Sequence, residues 1–380
     1  MLLRFGVENH LCFRERQDLG FEASSLKDVD EGLVGCEAAY SGAVVPAVLV
    51  YGANGSGKTS LLGAASAMKD LVMQSRAGTV DGAQPSPSPF LLDAGWSAKP
   101  SGFEIDLVIG AVRYHYGLEV RNGTIASEWL YEIPKAHGRK LFERDGQVFE
   151  FGRWLKGQNR AISRLTSPDS PFLSAAAHAG HGQLSPVHRY FGNMAFIGPP
   201  AAPDVPVRLA AAGPDRRVID FLQSVDTGIV GYRSGEAGGV EFAHRGRGGK
   251  AVYLDMDRES SGTRRLLVIL DRVFRALDGG HPVFIDGLDT GLHPHAGEAV
   301  LRLFCSPRSN RNGAQLVATT HDTHLMKSPV LRRDQLWFAE KNQDGATDLY
   351  SLTDLQTRKG DNLELGYLQG RYGAIPRGGS

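Results

Sequence analysis

Residues 48–60 read Val-Leu-Val-Tyr-Gly-Ala-Asn-Gly-Ser-Gly-Lys-Thr-Ser, an apolar strand running into Gly52-x-x-x-x-Gly57-Lys58-Thr59. No other stretch restricts the fold as strongly. A strand must deliver the backbone to a glycine turn, and a helix must start directly after it. The loop amides and the positive end of that helix then face one point, where a polyphosphate would sit. Lys58 would lie along the β- and γ-phosphates, and the Thr59 hydroxyl would take a position on Mg²⁺. Gly55 and Gly57 are read as glycines because a Cβ there would obstruct close approach of phosphate. The cradle comprises Gly52, Ala53, Asn54, Gly55, Ser56, Gly57, Lys58, Thr59 and Ser60, and the ligand it implies is a nucleoside triphosphate.

Bulk properties exclude several classes. The 380 residues carry 42 Lys and Arg against 42 Asp and Glu, so no long-range field draws in nucleic acid or an anionic membrane. Cys12, Cys36 and Cys305 match no zinc or CxxC spacing and fit a reducing compartment. Residues Met1–Asn9 alternate like a strand and lack the apolar core of a signal peptide. No apolar run has the length needed to span a bilayer. The expectation is a soluble, cytoplasmic protein without a membrane partner.

Periodicity organises the rest. Residues 1–22 read as two strands joined near Asn9-His10, and a helix is expected from Thr59 to Gln74. The Gly-, Pro- and Ser-rich residues 75–101 read as loop. Runs beginning at Phe103, Val112 and Ser127, with turns at Asn122-Gly123 and Asp145-Gly146, predict an antiparallel sheet. Residues 155–225 read as helical, near Pro171–Ala179, Leu184–Phe191 and Asp215–Ser224. Short strands around glycine-rich turns are expected over 229–254, a helix from Gly262 to Leu277, and strands at Pro282–Asp286 and Ala314–Thr320. No heptads persist, so no long coiled-coil arm is expected.

Three further elements carry chemistry. Val283-Phe-Ile-Asp286 is an apolar strand ending in a carboxylate, a form suited to holding Mg²⁺ beside a phosphate loop. Ser260, Ser261, Gly262 and Thr263 open an apolar helix, where hydroxyls and free amides make a second anion site. His321 stands at the tip of the next strand and can donate a hydrogen bond to a γ-phosphate.

Taken in order, these motifs resemble an ABC-type ATPase of the RecF/SMC/OLD-like branch. The matching pieces are the phosphate loop, Ser260-Ser-Gly-Thr263, Ile285-Asp286 with Asp289-Thr-Gly-Leu-His293-Pro294, and Thr319-Thr-His321. More narrowly the chain is similar to the RloA-like group of prokaryotic ATP-binding proteins. Asp226-Thr-Gly-Ile, Arg333-Asp-Gln-Leu-Trp-Phe338, Leu349-Tyr-Ser-Leu and the tail Gly370-Arg-Tyr-Gly-Ala-Ile-Pro376 carry that likeness.

The resemblance implies an α/β fold, a P-loop NTPase of ABC type with a mixed sheet lobe, an antiparallel β subdomain and a helical lobe. It divides the chain at 1–154, 155–265 and 266–380. It also implies ATP and Mg²⁺ as ligands, with Thr59 and Asp286 on the metal, and a homodimer or higher assembly. In that assembly Ser260–Thr263 of one copy cover the nucleotide held by the other, and residues Leu288–Pro294 touch across the pair. Such ATPases are linked to antiviral defence beside a separate effector, in some cases a nuclease. Gln183 is the candidate for a metal-sensing amide.

One departure stands out. The family places Glu directly after the strand-end aspartate that corresponds to Asp286 (its Walker B residue), and here that position is Gly287. A positioned general base contributes about 10² to 10⁴ in rate, so turnover is expected to be weak or lost. Asp289 could substitute as base or could cap the following turn. Lys135, Arg139, Lys140, Arg144, Arg153, Lys156, Arg160 and Arg164, with Arg245 and Arg247, could contact nucleic-acid phosphates or remain a solvated face. The alternatives are a non-catalytic ATP-bound scaffold and a RecF-like DNA-repair ATPase. No acidic nuclease domain or long arm is expected in this sequence.

Overall fold

The computed structural model describes residues 1–73, 87–134, 138–198, 213–225, 227–235 and 239–376. The expectations at Gln74, Pro85, Lys135 and Asp226 lie outside them. Strands β1 (Leu2–Glu8) and β2 (Gln17–Gly20) come first, followed by the short pair β3 (Val34–Gly35) and β4 (Ala43–Val44). After β5 (Ala47–Tyr51) and α1 (Lys58–Met73), a one-turn helix α2 (Ala94–Ser97) leads to a run of long strands. These are β6 (Ser101–Ile109), β7 (Val112–Arg121), β8 (Thr124–Ile133), β9 (Arg139–Asp145) and β10 (Val148–Phe151).

They form a seven-stranded antiparallel sheet in the order β10-β9-β8-β7-β6-β1-β2. The β7–β8 hairpin turns at Asn122 (φ 52°) and Gly123 (φ 75°), two left-handed residues as a tight twisted hairpin requires. Helices α3 (Asn159–Leu165), α4 (Phe172–His178) and α5 (Ser185–Gly192) follow. Ser174 Oγ of α4 donates to the Val72 carbonyl of α1 at 2.6 Å, tying this helical layer to the helix after the phosphate loop.

The region read as helical also contains a strand, β11 (Ala195–Ile197), too short to show a period. It joins the second large sheet with β5, β15 (Pro282–Ile285), β16 (Gln315–Thr319), β17 (Leu336–Lys341) and β18 (Thr347–Ser351). The order is β11-β15-β16-β5-β17-β18, parallel from β11 to β17 with β18 antiparallel at the edge. Every residue of β5 is buried. Val48 and Val50 face the core shared with the antiparallel sheet and α1, whereas Ala47, Leu49 and Tyr51 face a second core. A strand covered on both sides needs a continuous apolar run, and Ala47–Tyr51 provides it.

Between the sheets, Leu2 N donates to Gln315 Oε1 at 2.6 Å and Gln315 Nε2 donates to the Leu2 carbonyl at 2.9 Å. Gln315 is buried, so this amide acts as a rung joining β1 to β16. Helix α6 (Arg216–Ser224) packs on a three-stranded sheet of β12 (Ile229–Ser234), β13 (Val240–Arg245) and β14 (Ala251–Asp255).

Helix α7 (Ser261–Gly279) buries Leu266, Leu270, Val273 and Leu277 on one stripe and ends at left-handed Gly280 (φ 68°). Helix α8 (Pro294–Cys305) and the short α9 (Leu363–Leu368) complete the described fold. No helix among the described residues is long and apolar enough to cross a membrane.

Candidate nucleotide-binding site

In a parallel sheet the strand C-termini point to one rim, where ligands bind. Strand β16 lies between β5 and β15, so three chain exits stand side by side. The phosphate loop leaves β5, Asp286 leaves β15, and His321 follows β16.

Gly55 has φ 74° and open space around a would-be Cβ, so its requirement for glycine is conformational. Gly57 is different. With φ 109°, its Cβ would lie 2.5 Å from Thr347 Oγ1 and 2.8 Å from Cys12 Sγ. Its glycine is demanded by the protein behind the loop, in addition to any demand from phosphate in front. The same Thr347 hydroxyl donates to the Ser56 carbonyl at 2.8 Å and braces the loop from β18.

Lys58 Nζ arches back to donate to the carbonyls of Gly52 (2.8 Å) and Ala53 (2.9 Å). Burial lowers its pKa, against the pull of Asp286 and Asp289. Asp286 accepts from Thr319 Oγ1 at 2.6 Å, while Gly287 N donates to that same hydroxyl at 2.7 Å. Thr319 therefore fixes both the carboxylate and the start of the next loop.

Asp289 Oδ1 accepts from His321 N at 3.1 Å. This bond holds the backbone of the histidine tip rather than capping the turn after Asp289. Partial burial and then the Lys58 charge keep the His321 imidazole below its ordinary pKa, against Asp289 and Asp286. Its neutral form, with one donor and one acceptor nitrogen, is thereby favoured.

The structure thus gathers Lys58, Asp286, Asp289 and His321. Ser260 caps α7, its Oγ accepting from Thr263 N at 3.0 Å and lying 2.8 Å from Thr263 Oγ1. A Cβ on Gly262 would run into the Gly291 carbonyl, so the helix start packs on its own chain's loop after Asp289. Among the described residues no hydrogen bond or ion pair links Ser260–Thr263 to the phosphate loop. Gln183 Oε1 accepts from Lys156 N at 2.6 Å and its Nε2 donates to the Trp154 carbonyl, which makes it a loop brace.

Much of the basic stretch is already engaged. Arg144 is buried against Glu128, Lys140 pairs with Glu143 and Glu150, and Arg139 and Arg153 stack on Trp154.

Sequence reasoning missed Arg265. Its Nη2 donates to the Asp286 carbonyl at 2.9 Å and its Nη1 to the Gly198 carbonyl, so α7, β11 and β15 meet at one guanidinium. Burial lowers its pKa, with Asp286 opposing. The available signal was a charge on the apolar stripe, in step with Ile269, Val273 and Ala276.

Residues 48–327 match the family model described as "AAA domain, putative AbiEii toxin, Type IV TA system". The chain belongs to this family. As a member of it, with this loop and strand order, the chain has a mixed α/β fold of the P-loop, AAA-domain kind, built to bind nucleotide.

Two solved structures align along most of the chain. One is an SMC head domain from Thermotoga maritima, with 14% identity, 94% of this chain and 99% of that one covered, and a TM-score of 0.43. The other is SmcHead bound to the C-winged helix domain of ScpA, with 13% identity, coverages of 92% and 97%, and a TM-score of 0.41. Both scores are too low to bear on function. No curated protein sequence matches the chain.

The AAA-family site suits a nucleotide and one hard cation. Ser56 Oγ is buried in the cradle with no hydrogen-bond partner, and Lys58 is desolvated beside it. Among the described residues no trio of His, Cys, Asp or Glu could cage a metal. Mg²⁺ needs no such cage, since one carboxylate, one hydroxyl and phosphate oxygens suffice. Asp286 and Thr59 would hold it, and its chemistry would be to neutralise phosphate charge.

Proposed function

We propose that the chain is an ATP-dependent switch of prokaryotic antiviral defence. Two copies close over nucleotide and thereby hold or release a separate effector, a nuclease being one candidate. The observation that carries this reading is the convergence of Lys58, Asp286, Asp289 and His321 at the rim beside the phosphate loop. Lys58 would neutralise the terminal phosphates, Thr59 and Asp286 would hold Mg²⁺, and His321 would read the γ-phosphate. Ser260–Thr263 would complete the site of a second copy. Their position on the loop after Asp289 supports that arrangement, because a shift of that loop reaches both elements. The similarity to the RloA-like group supports the defence role and a cytoplasmic location.

The test is calorimetric titration with ATP and Mg²⁺, combined with light scattering at each nucleotide concentration. Wild type should bind and dimerise, Lys58→Ala should do neither, and Ser261→Arg should bind without dimerising. Undiminished affinity in Lys58→Ala would overturn the site, and a monomer at saturating ATP would overturn the closure.

A second reading, the ATP-bound scaffold, has its own support in Gly287. That residue has φ 69°, and a Cβ there would strike Thr290 Oγ1. The loop is therefore shaped around the absence of a side chain. Steady-state phosphate release separates a slow switch from a permanent scaffold. A RecF-like role on DNA draws less support, since much of the basic stretch is paired or stacked within the chain.

A further inference from the structure

The C-terminal tail takes no part in the mechanism above, yet it touches both ends of the site. The Tyr367 ring packs on Tyr51, the last residue of β5, with centroids 5.8 Å apart. Its hydroxyl donates to the Ala374 carbonyl at 3.1 Å, and the Tyr51 on which its ring rests directly precedes Gly52, the first glycine of the phosphate loop. One helical turn earlier, Glu364 accepts from Thr323 Oγ1 at 3.0 Å and pairs with Lys327. These two residues belong to the 3-10 turn Thr323–Lys327 that directly follows His321 and Asp322. Tyr51 closes the circuit, its hydroxyl donating to the Asp322 carbonyl at 3.2 Å.

The tail keeps this shape against local preference. Ala374 is buried and left-handed at φ 55°, a conformation unfavourable for a residue with a Cβ. The Tyr372 hydroxyl is buried without a partner, which is also destabilising. Tyr350 Oη, donating to the Tyr372 carbonyl at 2.8 Å, pins the far end. A segment added only for packing would shed such strain. One that must present two side chains at fixed points would keep it.

We propose that Asn362–Ile375 is a strap whose Tyr367 and Glu364 are positioning residues, setting the Gly52 end of the phosphate loop and the segment behind His321 in register. Tyr367 acts on the loop that cradles every phosphate. Glu364 acts only on the histidine side, which faces the γ-phosphate in the reading on which this inference rests. The two residues therefore differ in nucleotide preference.

Removing one hydrogen bond to a charged group corresponds to about a ten-fold loss of affinity. Glu364→Ala should weaken ATP about ten-fold and leave ADP near wild type, with Glu364→Gln intermediate because it retains an acceptor for Thr323. Tyr367→Phe should weaken ATP and ADP alike. Calorimetry with both nucleotides reads the ratio, and thermal melts of each variant track stability separately. An unchanged ATP-to-ADP affinity ratio in Glu364→Ala, whatever its melting temperature, overturns the strap. Wild type that binds neither nucleotide overturns the site itself, a different and recognisable failure.

Discussion

The Asp289 carboxylate accepts a hydrogen bond from the His321 backbone amide at 3.1 Å, across a sequence gap of 32 residues. The loop after β15 and the tip of β16 are thus one unit. The bond also distinguishes two roles for Asp289. Asparagine preserves an acceptor at the same place but cannot take a proton, whereas alanine removes both capacities. If Asp289 positions His321, Asp289→Ala should weaken ATP roughly ten-fold and Asp289→Asn should stay near wild type. If it serves as the base, Asp289→Asn should lose turnover and keep affinity. Titration and phosphate release on the same samples decide.

Restoring glutamate at 287 is the obvious experiment, and the backbone opposes it. The left-handed conformation at φ 69° disfavours a side chain by roughly 1–2 kcal/mol, and Thr290 occupies the space of the new Cβ. Gly287→Glu alone should lower the melting temperature with little gain in phosphate release. Gly287→Glu with Thr290→Gly should recover part of that stability and raise turnover further. Equal turnover in the single and double variants would refute this account.

Two glycines of the cradle should respond differently to alanine. At Gly55 the added methyl meets open space, and only the φ penalty of about 1 kcal/mol applies. At Gly57 the methyl also meets Thr347 and Cys12, so the loss should exceed that of Gly55→Ala by about 1–3 kcal/mol. Urea titration of both variants without nucleotide checks the order.

His10 supplies a pH dependence. Burial lowers its pKa from 6.5 to about 4, against a backbone hydrogen bond involving Ser88. Its ring sits edge-on to Phe103 with centroids 5.1 Å apart. The folded state therefore binds this proton less readily than the unfolded state. The associated stability is complete above pH 6.5 and is lost as pH falls towards about 4. At about 1.4 kcal/mol per unit, the loss is on the order of 3 kcal/mol. His10→Phe should flatten the fall in melting temperature between pH 7 and pH 4.5 (roughly the span of that titration). An unchanged slope would assign acid sensitivity to other groups.

What could be read from the chain alone was local. The five-residue apolar run of β5, the Asn122-Gly123 turn and the amphipathic stripe of α7 each announce themselves within a few residues. Asp286 and His321 were legible because strand ends are, and their position relative to a phosphate loop has few alternatives. Arg265 was not, since its partners at Gly198 and Asp286 come from two other strands. Nor was the reason for Gly57, which lies in Thr347, 290 residues further on. Strand β11, three residues long, had no period to show.

The buried Gln315 amide has a mechanical meaning. Through it the first residue of β1 is bolted to the strand whose tip carries the histidine. Force applied by another molecule to the antiparallel sheet would be transmitted along β16 instead of dissipating at a soft seam. A protein that has to feel something on its flank and answer at its rim is well served by a crossbar of this kind.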